Sequence, residues 1–126
     1  MSIDLAAAAA RKKIQYFLIS YVDLFGCLRA KLVPARAIGE MQKNGAGFAG
    51  FATWLDMTPA DPDMFAIPDA ESLTQLPWKP EVAWLAADLW MNGEPVEMAP
   101  RIVLKRQIEQ AKEKGYSMKS GVECEF

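Results

Sequence analysis

The stretch from Ile14 to Ala35, "IQYFLISYVDLFGCLRAKLVPA", decides how the rest of the chain is read. Phe17, Ile19 and Tyr21 recur at every second position, and so do Leu28, Ala30 and Leu32. A period of two places alternate side chains on one face of a strand. The β-branched and aromatic residues in both runs suit a pleated, half-buried surface. Asp23-Leu24-Phe25-Gly26 lies between them, and Gly26 is free to take the positive φ of a tight turn. The stretch therefore predicts a hairpin, with strands over about residues 15–23 and 27–34 closed by Pro34.

Upstream, "DLAAAAARKK" predicts a short alanine-rich helix over residues 4–13. It is not a secretory signal, because an acid precedes the apolar run and the basic residues follow it. No apolar run reaches the length of a membrane span. Downstream, "ARAIGEMQKN" (35–44) fits a short helix stopped at Asn44-Gly45. Residues 45–70 are rich in glycine and proline and show no period. They predict a long, apolar, irregular segment, a kind that is commonly functional in compact domains.

"SLTQLPW" (72–78) holds a short strand, and "EVAWLAADLW" (81–90) a longer one. Both faces of the longer strand are mostly apolar, which predicts a central position covered on both sides. Asn92-Gly93 supplies a turn. Pro100 opens a helix in which Leu104, Ile108 and Ala111 form an apolar stripe, Lys105, Glu109, Lys112 and Glu113 face water, and Gly115 makes the stop. The last segment, "YSMKSGVECEF" (116–126), alternates and predicts a strand. Strands and helices in this order predict an α+β fold.

At 126 residues the chain fits one domain, and its 52% hydrophobic content supplies a core. A formal charge of −2 gives no nucleic-acid footprint. Two cysteines far apart and no histidine argue against a zinc site built from Cys and His; two free thiols suit a reducing cytoplasm, and a Cys27–Cys124 pairing is the alternative.

The chemistry concentrates in "GVECEF" (121–126). On a strand, Glu123 and Glu125 share a face about 6–7 Å apart. Val122, Cys124 and Phe126 then point the other way, into a core. Paired carboxylates are hard ligands suited to Mg²⁺ or Mn²⁺. A solvated acidic edge is the other reading of the same pair.

Four pieces in order carry a resemblance. "YFLISYVDLFGCLRAKLVPA", with Asp23, Gly26, Lys31 and Pro34, is similar to the opening hairpin of the glutamine synthetase family. "DPDMFAIPD", with Asp63, Pro68 and Asp69, resembles the stretch after that family's active-site loop. "APRIVLKRQIEQAKEKGY" looks like its proline-arginine helix, and "GVECEF" like its Gly-x-Glu-x-Glu-Phe motif. The resemblance implies an N-terminal helix (1–14), a β-grasp domain with a mixed sheet and packed helices (15–115), and the first strand of a catalytic domain (116–126) that otherwise lies beyond this chain. It implies that Glu123 and Glu125 each ligate one of two divalent cations, Mg²⁺ or Mn²⁺, in a complete ATP-dependent ligase. That enzyme joins glutamate to ammonia or an amine through a γ-glutamyl phosphate.

The resemblance also implies a cytoplasmic ring-shaped homo-oligomer in which this domain closes a neighbouring subunit's site, and that the chain by itself is inactive. Neither nucleic acid nor membrane is an expected partner. The loop reaching the neighbour's site corresponds to Phe48, Ala49 and Gly50, with Trp54 either lining that site or packing within the domain. Ammonia-using members carry Phe-Asp-Gly there. Alanine can neither accept a proton nor a hydrogen bond through its side chain. The run "GAGFAGFA" (45–52) is instead similar to the branch containing gamma-glutamylmethylamide synthetase, which leaves methylamine and ammonia both open as acceptors. A free-standing β-grasp module that binds a protein through its sheet edge or apolar loop is the competing reading.

Overall fold

The computed structural model describes residues 3–53 and 55–125. The chain opens with α1 (Leu5–Lys12), then β1 (Tyr16–Val22) and β2 (Leu28–Pro34). A 3₁₀ turn leads into α2 (Ile38–Asn44), followed by β3 (Ala46–Phe48), β4 (Met64–Pro68), β5 (Thr74–Gln75), β6 (Val82–Met91), β7 (Glu94–Pro95) and α3 (Pro100–Glu113).

Local chemistry sets the boundaries. The Asp4 carboxylate accepts from the Ala6 and Ala7 amides at 2.9 and 3.1 Å, satisfying donors that a helix start leaves orphaned. Asp23 organises the hairpin turn by accepting from the Phe25 and Cys27 amides, each at 3.0 Å, and from Arg29 Nε at 2.8 Å. Pro100 sits in the first turn of α3, where its missing N–H costs nothing.

The strands form one mixed sheet in the order β2-β1-β6-β4-β3, with β5 and β7 also pairing β6. β1 and β6 run parallel, and the other pairs are antiparallel. The α+β class is as the sequence predicts, and the architecture is the β-grasp-like one that the resemblance implies. The sheet curls towards a barrel around a core that includes Phe17, Ile19, Tyr21, Val33, Met64, Leu85 and Leu89. Leu5 of α1 and Ile38 of α2 complete that core from the helical side. Strand β6 is central, as expected: Ala83, Leu85, Ala87 and Leu89 are buried on one face, Val82 and Ala86 on the other.

Three expectations are corrected. Residues 45–70 are not wholly irregular, since they hold β3, a 3₁₀ turn (Gly50–Thr53) and β4. A three-residue strand is too short to show a period, so its pairing with β4 could not be read from pattern. The apolar stripe of α3 is not a buried face: Leu104 and Ile108 are 57% and 53% exposed. α3 meets the core through Ile102, just after buried Ala99, and is further tied to the sheet by charge. Arg101 bonds Asp88 at 2.8 Å and also Asp69, and Lys105 bonds Asp88.

The last correction concerns residues 116–125, which form no strand. A strand exists by its ladder, and among the described residues this segment pairs with none. Val122 is 92% exposed and Cys124 is exposed, so neither enters a core. Phe126 lies outside the described residues.

Candidate functional site

The segment after α2 is built into the sheet. Gly45 ends the helix at φ +79°, a conformation only glycine adopts without strain. A Cβ there would stand 2.9 Å from the Phe65 Cβ, so the backbone of this turn lies directly against β4. Ala46 is then buried, and β3 carries Gly47 and Phe48 along the sheet edge.

Phe48, Ala49 and Gly50 come together at the end of β3. The Phe48 ring meets Tyr21 edge-to-face, with centroids 4.9 Å apart and planes at 86°. Burial raises the Tyr21 phenol's pKa; Arg29 pulls it down in part and Asp23 adds to the rise. Ala49 is half-buried and Gly50 buried. A Cβ on Gly50 would meet Met57 Sδ at 2.7 Å and the Pro62 carbonyl at 3.1 Å. The Thr53 hydroxyl donates back to the Gly50 carbonyl at 2.6 Å, closing the turn. Leu55 is buried beyond it. Trp54, also expected to serve this loop, lies outside the described residues.

Sequence reasoning passed over Phe51, which is 50% exposed. The signal was in the repeat Gly47-Phe48-Ala49 and Gly50-Phe51-Ala52: of two phenylalanines three apart, one packs inward and one faces solvent. Three carboxylates follow further along the segment. Asp61 is held by the Thr58 amide and hydroxyl at 2.6 and 3.0 Å, bonds that lower its pKa. Asp56 and Asp63 are exposed.

Glu123 and Glu125 are likewise exposed, in the segment that forms no strand. Their oxygens have the donor chemistry that Mg²⁺ or Mn²⁺ prefers. Among the described residues no group of three or more Asp, Glu, His or Cys could hold a metal ion. Two carboxylates alone fall short of such a group in number. Among the described residues, no helix is long and apolar enough to cross a membrane.

Comparison with known proteins supplies the context for these two regions. No family model matches the chain. A glutamine synthetase of Rhizobium leguminosarum bv. phaseoli is 65% identical over 126 residues, covering 100% of this chain and 29% of the relative. A glutamate–methylamine ligase of Methyloversatilis universalis is 41% identical over 116 residues, covering 90% of this chain and 26% of the relative. A solved structure described as apo GmaS without ligand superposes with a TM-score of 0.86 at 62% identity, covering 88% of this chain and 26% of that one. The chain thus spans under a third of the length of the curated relatives it matches.

Proposed function

We propose, for a chain whose sequence and fold are shared with the N-terminal region of the glutamine synthetase family, that it supplies the β-grasp part of an ATP-dependent glutamate–amine ligase. The observation that carries this reading is likeness over the whole chain, 65% identity across all 126 residues. In the reaction, ATP phosphorylates the γ-carboxylate of glutamate, and ammonia or an amine then displaces phosphate from the acyl phosphate. The polypeptide works in the cytoplasm as a ring-shaped homo-oligomer.

Two regions contribute. Glu123 and Glu125 help hold Mg²⁺ or Mn²⁺, which when bound neutralises phosphate oxygens and so eases attack by a carboxylate on a polyanion. The segment from Phe48 to Gly50, extended by exposed Phe51, covers a neighbouring subunit's site and excludes the water that would hydrolyse the acyl phosphate. Ala49 places a methyl group where an acid would bind ammonium. An apolar lining favours an alkylamine such as methylamine. A glutamate–methylamine ligase among the relatives supports this choice of acceptor.

The chain alone is inactive in this reading, because two carboxylates cannot enforce the near-octahedral shell that Mg²⁺ requires. The test is a graft. This chain replaces the matching region of the R. leguminosarum glutamine synthetase, and ATP-dependent amide formation is followed with ammonia and with methylamine. A folded, assembled graft without turnover removes the ligase reading. Turnover with a strong preference for ammonia retains the ligase and removes the alkylamine.

A further inference from the structure

The strand order leaves a seam. β2 and β3 are the two ends of the path β2-β1-β6-β4-β3, so among the described residues each has an edge that no ladder covers. The curl of the sheet brings these edges near each other, and one side chain crosses between them. Lys31 of β2 donates from Nζ to the backbone carbonyl of Gly47 in β3. The same ammonium lies 5.0 Å from the centroid of the Phe48 ring. Tyr21 of β1 holds that ring from its other contact, edge-on at 4.9 Å.

We propose that Lys31 is a positioning residue: it latches the open seam between β2 and β3 and so fixes where the segment beginning at Phe48 leaves the sheet. Register explains why this position can do so. Lys31 stands opposite Ile19, on the face where Phe17, Ile19 and Tyr21 enter the core. From there the exposed side chain carries its ammonium to the rim, at the Gly47 carbonyl and the Phe48 ring. An edge carbonyl and a ring face are both electron-rich, and a compact cation satisfies both at once. Beyond Phe48 the chain is held by the Thr53–Gly50 bond and by buried Leu55. Lys31 is the matching restraint at the near end, sixteen residues away in sequence from the carbonyl it holds.

The latch itself rests on geometry alone. Its consequence for acceptor binding rests on the ligase reading above. Amide hydrogen exchange on the 126-residue chain tests the first part. In Lys31→Met, which keeps the stem and loses the donor, amides of residues 46–53 exchange about two- to ten-fold faster. Those in the centres of β1 and β6 are unchanged. Lys31→Arg, which can both donate and stack, restores most of the protection.

Unaltered exchange at 46–53 in Lys31→Met overturns the latch. So does acceleration spread evenly over the whole sheet, or an arginine variant no better protected than methionine. The graft into the longer glutamine synthetase separates the two layers. There Lys31→Met raises KM for the acceptor amine several-fold more than it lowers kcat. Faster exchange at 46–53 with KM unmoved leaves the latch standing and removes the acceptor role of the loop.

Discussion

Residues 45–55 and 116–125 both carry side chains that the proposed chemistry needs, and the domain treats them in opposite ways. The first segment is woven in: Ala46, Gly50, Thr53 and Leu55 are buried, and β3 pairs with β4. Of the second, all described residues are exposed, with Met118 and Val122 at 86% and 92%. The first segment therefore inherits its shape from the core of the sheet. The carboxylate pair carries donor chemistry with no scaffold among the described residues. One region is specified by packing, the other by residue type alone.

The largest test of that contrast is in the core. Leu85 is fully buried at the centre of β6. Leu85→Ala removes its transfer energy and leaves a cavity, costing about 2–5 kcal/mol. Val122→Ala loses a similar amount of hydrocarbon from an exposed position and stays within about 0.5 kcal/mol of the parent. Urea unfolding of both variants checks this, and a costly Val122→Ala would break the contrast by revealing hidden packing.

Glycines give the next comparison. Gly45→Ala forces a side chain into φ +79° and against Phe65 and Ala66, with contacts of 2.9 and 3.2 Å, and should destabilise by about 1–3 kcal/mol. Gly121→Ala meets nothing within 4 Å and should be nearly neutral. Thermal melting of the pair reads the difference directly.

Acid sharpens the contrast from another side. Burial of Asp23 pushes its pKa up, but the Arg29 guanidinium and the Cys27 and Phe25 amides together outweigh burial, and the net shift is downward. A carboxylate with a lowered folded pKa contributes stability that is complete above its unfolded value, about 3.9. That contribution falls away as pH drops through the folded value below it. Asp23→Asn should therefore be less stable than the parent at neutral pH, and the gap should narrow towards pH 2. A gap that does not depend on pH would remove the ionised carboxylate as the organiser of the turn.

Particular residues show what was legible in the sequence. The hairpin was readable to within about a residue, because alternation at Phe17, Ile19 and Tyr21 and the Asp23–Gly26 turn are local signals. α3 was readable from Pro100, but the exposure of Leu104 and Ile108 was not: an amphipathic stripe records capacity for burial and not its cover. β3 was missed because a strand of Ala46, Gly47 and Phe48 owes its existence to β4, eighteen residues on. At the candidate site, Phe48, Ala49 and Gly50 were picked out as neighbours in sequence. Lys31 was matched only as part of the hairpin, because its contact with Gly47 exists only once the sheet curls.

The smallest expected effect is the sharpest test of the second region. Glu123→Gln and Glu125→Gln together remove two exposed charges from a segment that pairs with no strand among the described residues. In the 126-residue chain their stability cost should lie within about 0.5 kcal/mol. Millimolar Mg²⁺ should leave the melting temperature of parent and variant equally unmoved, because a ligand stabilises a fold only by binding it better than the unfolded chain. Two solvated carboxylates on an unpaired segment offer no such preference. In the graft the same substitutions should abolish Mg²⁺-dependent turnover, since the proposed reaction needs the ions held for phosphoryl transfer. Two results together would place the pair's role in chemistry and not in the fold: silence in the short chain, and loss in the long one. A melting temperature that rises with Mg²⁺ in the short chain would mean that the pair already has a scaffold, and the contrast between the two segments would fail.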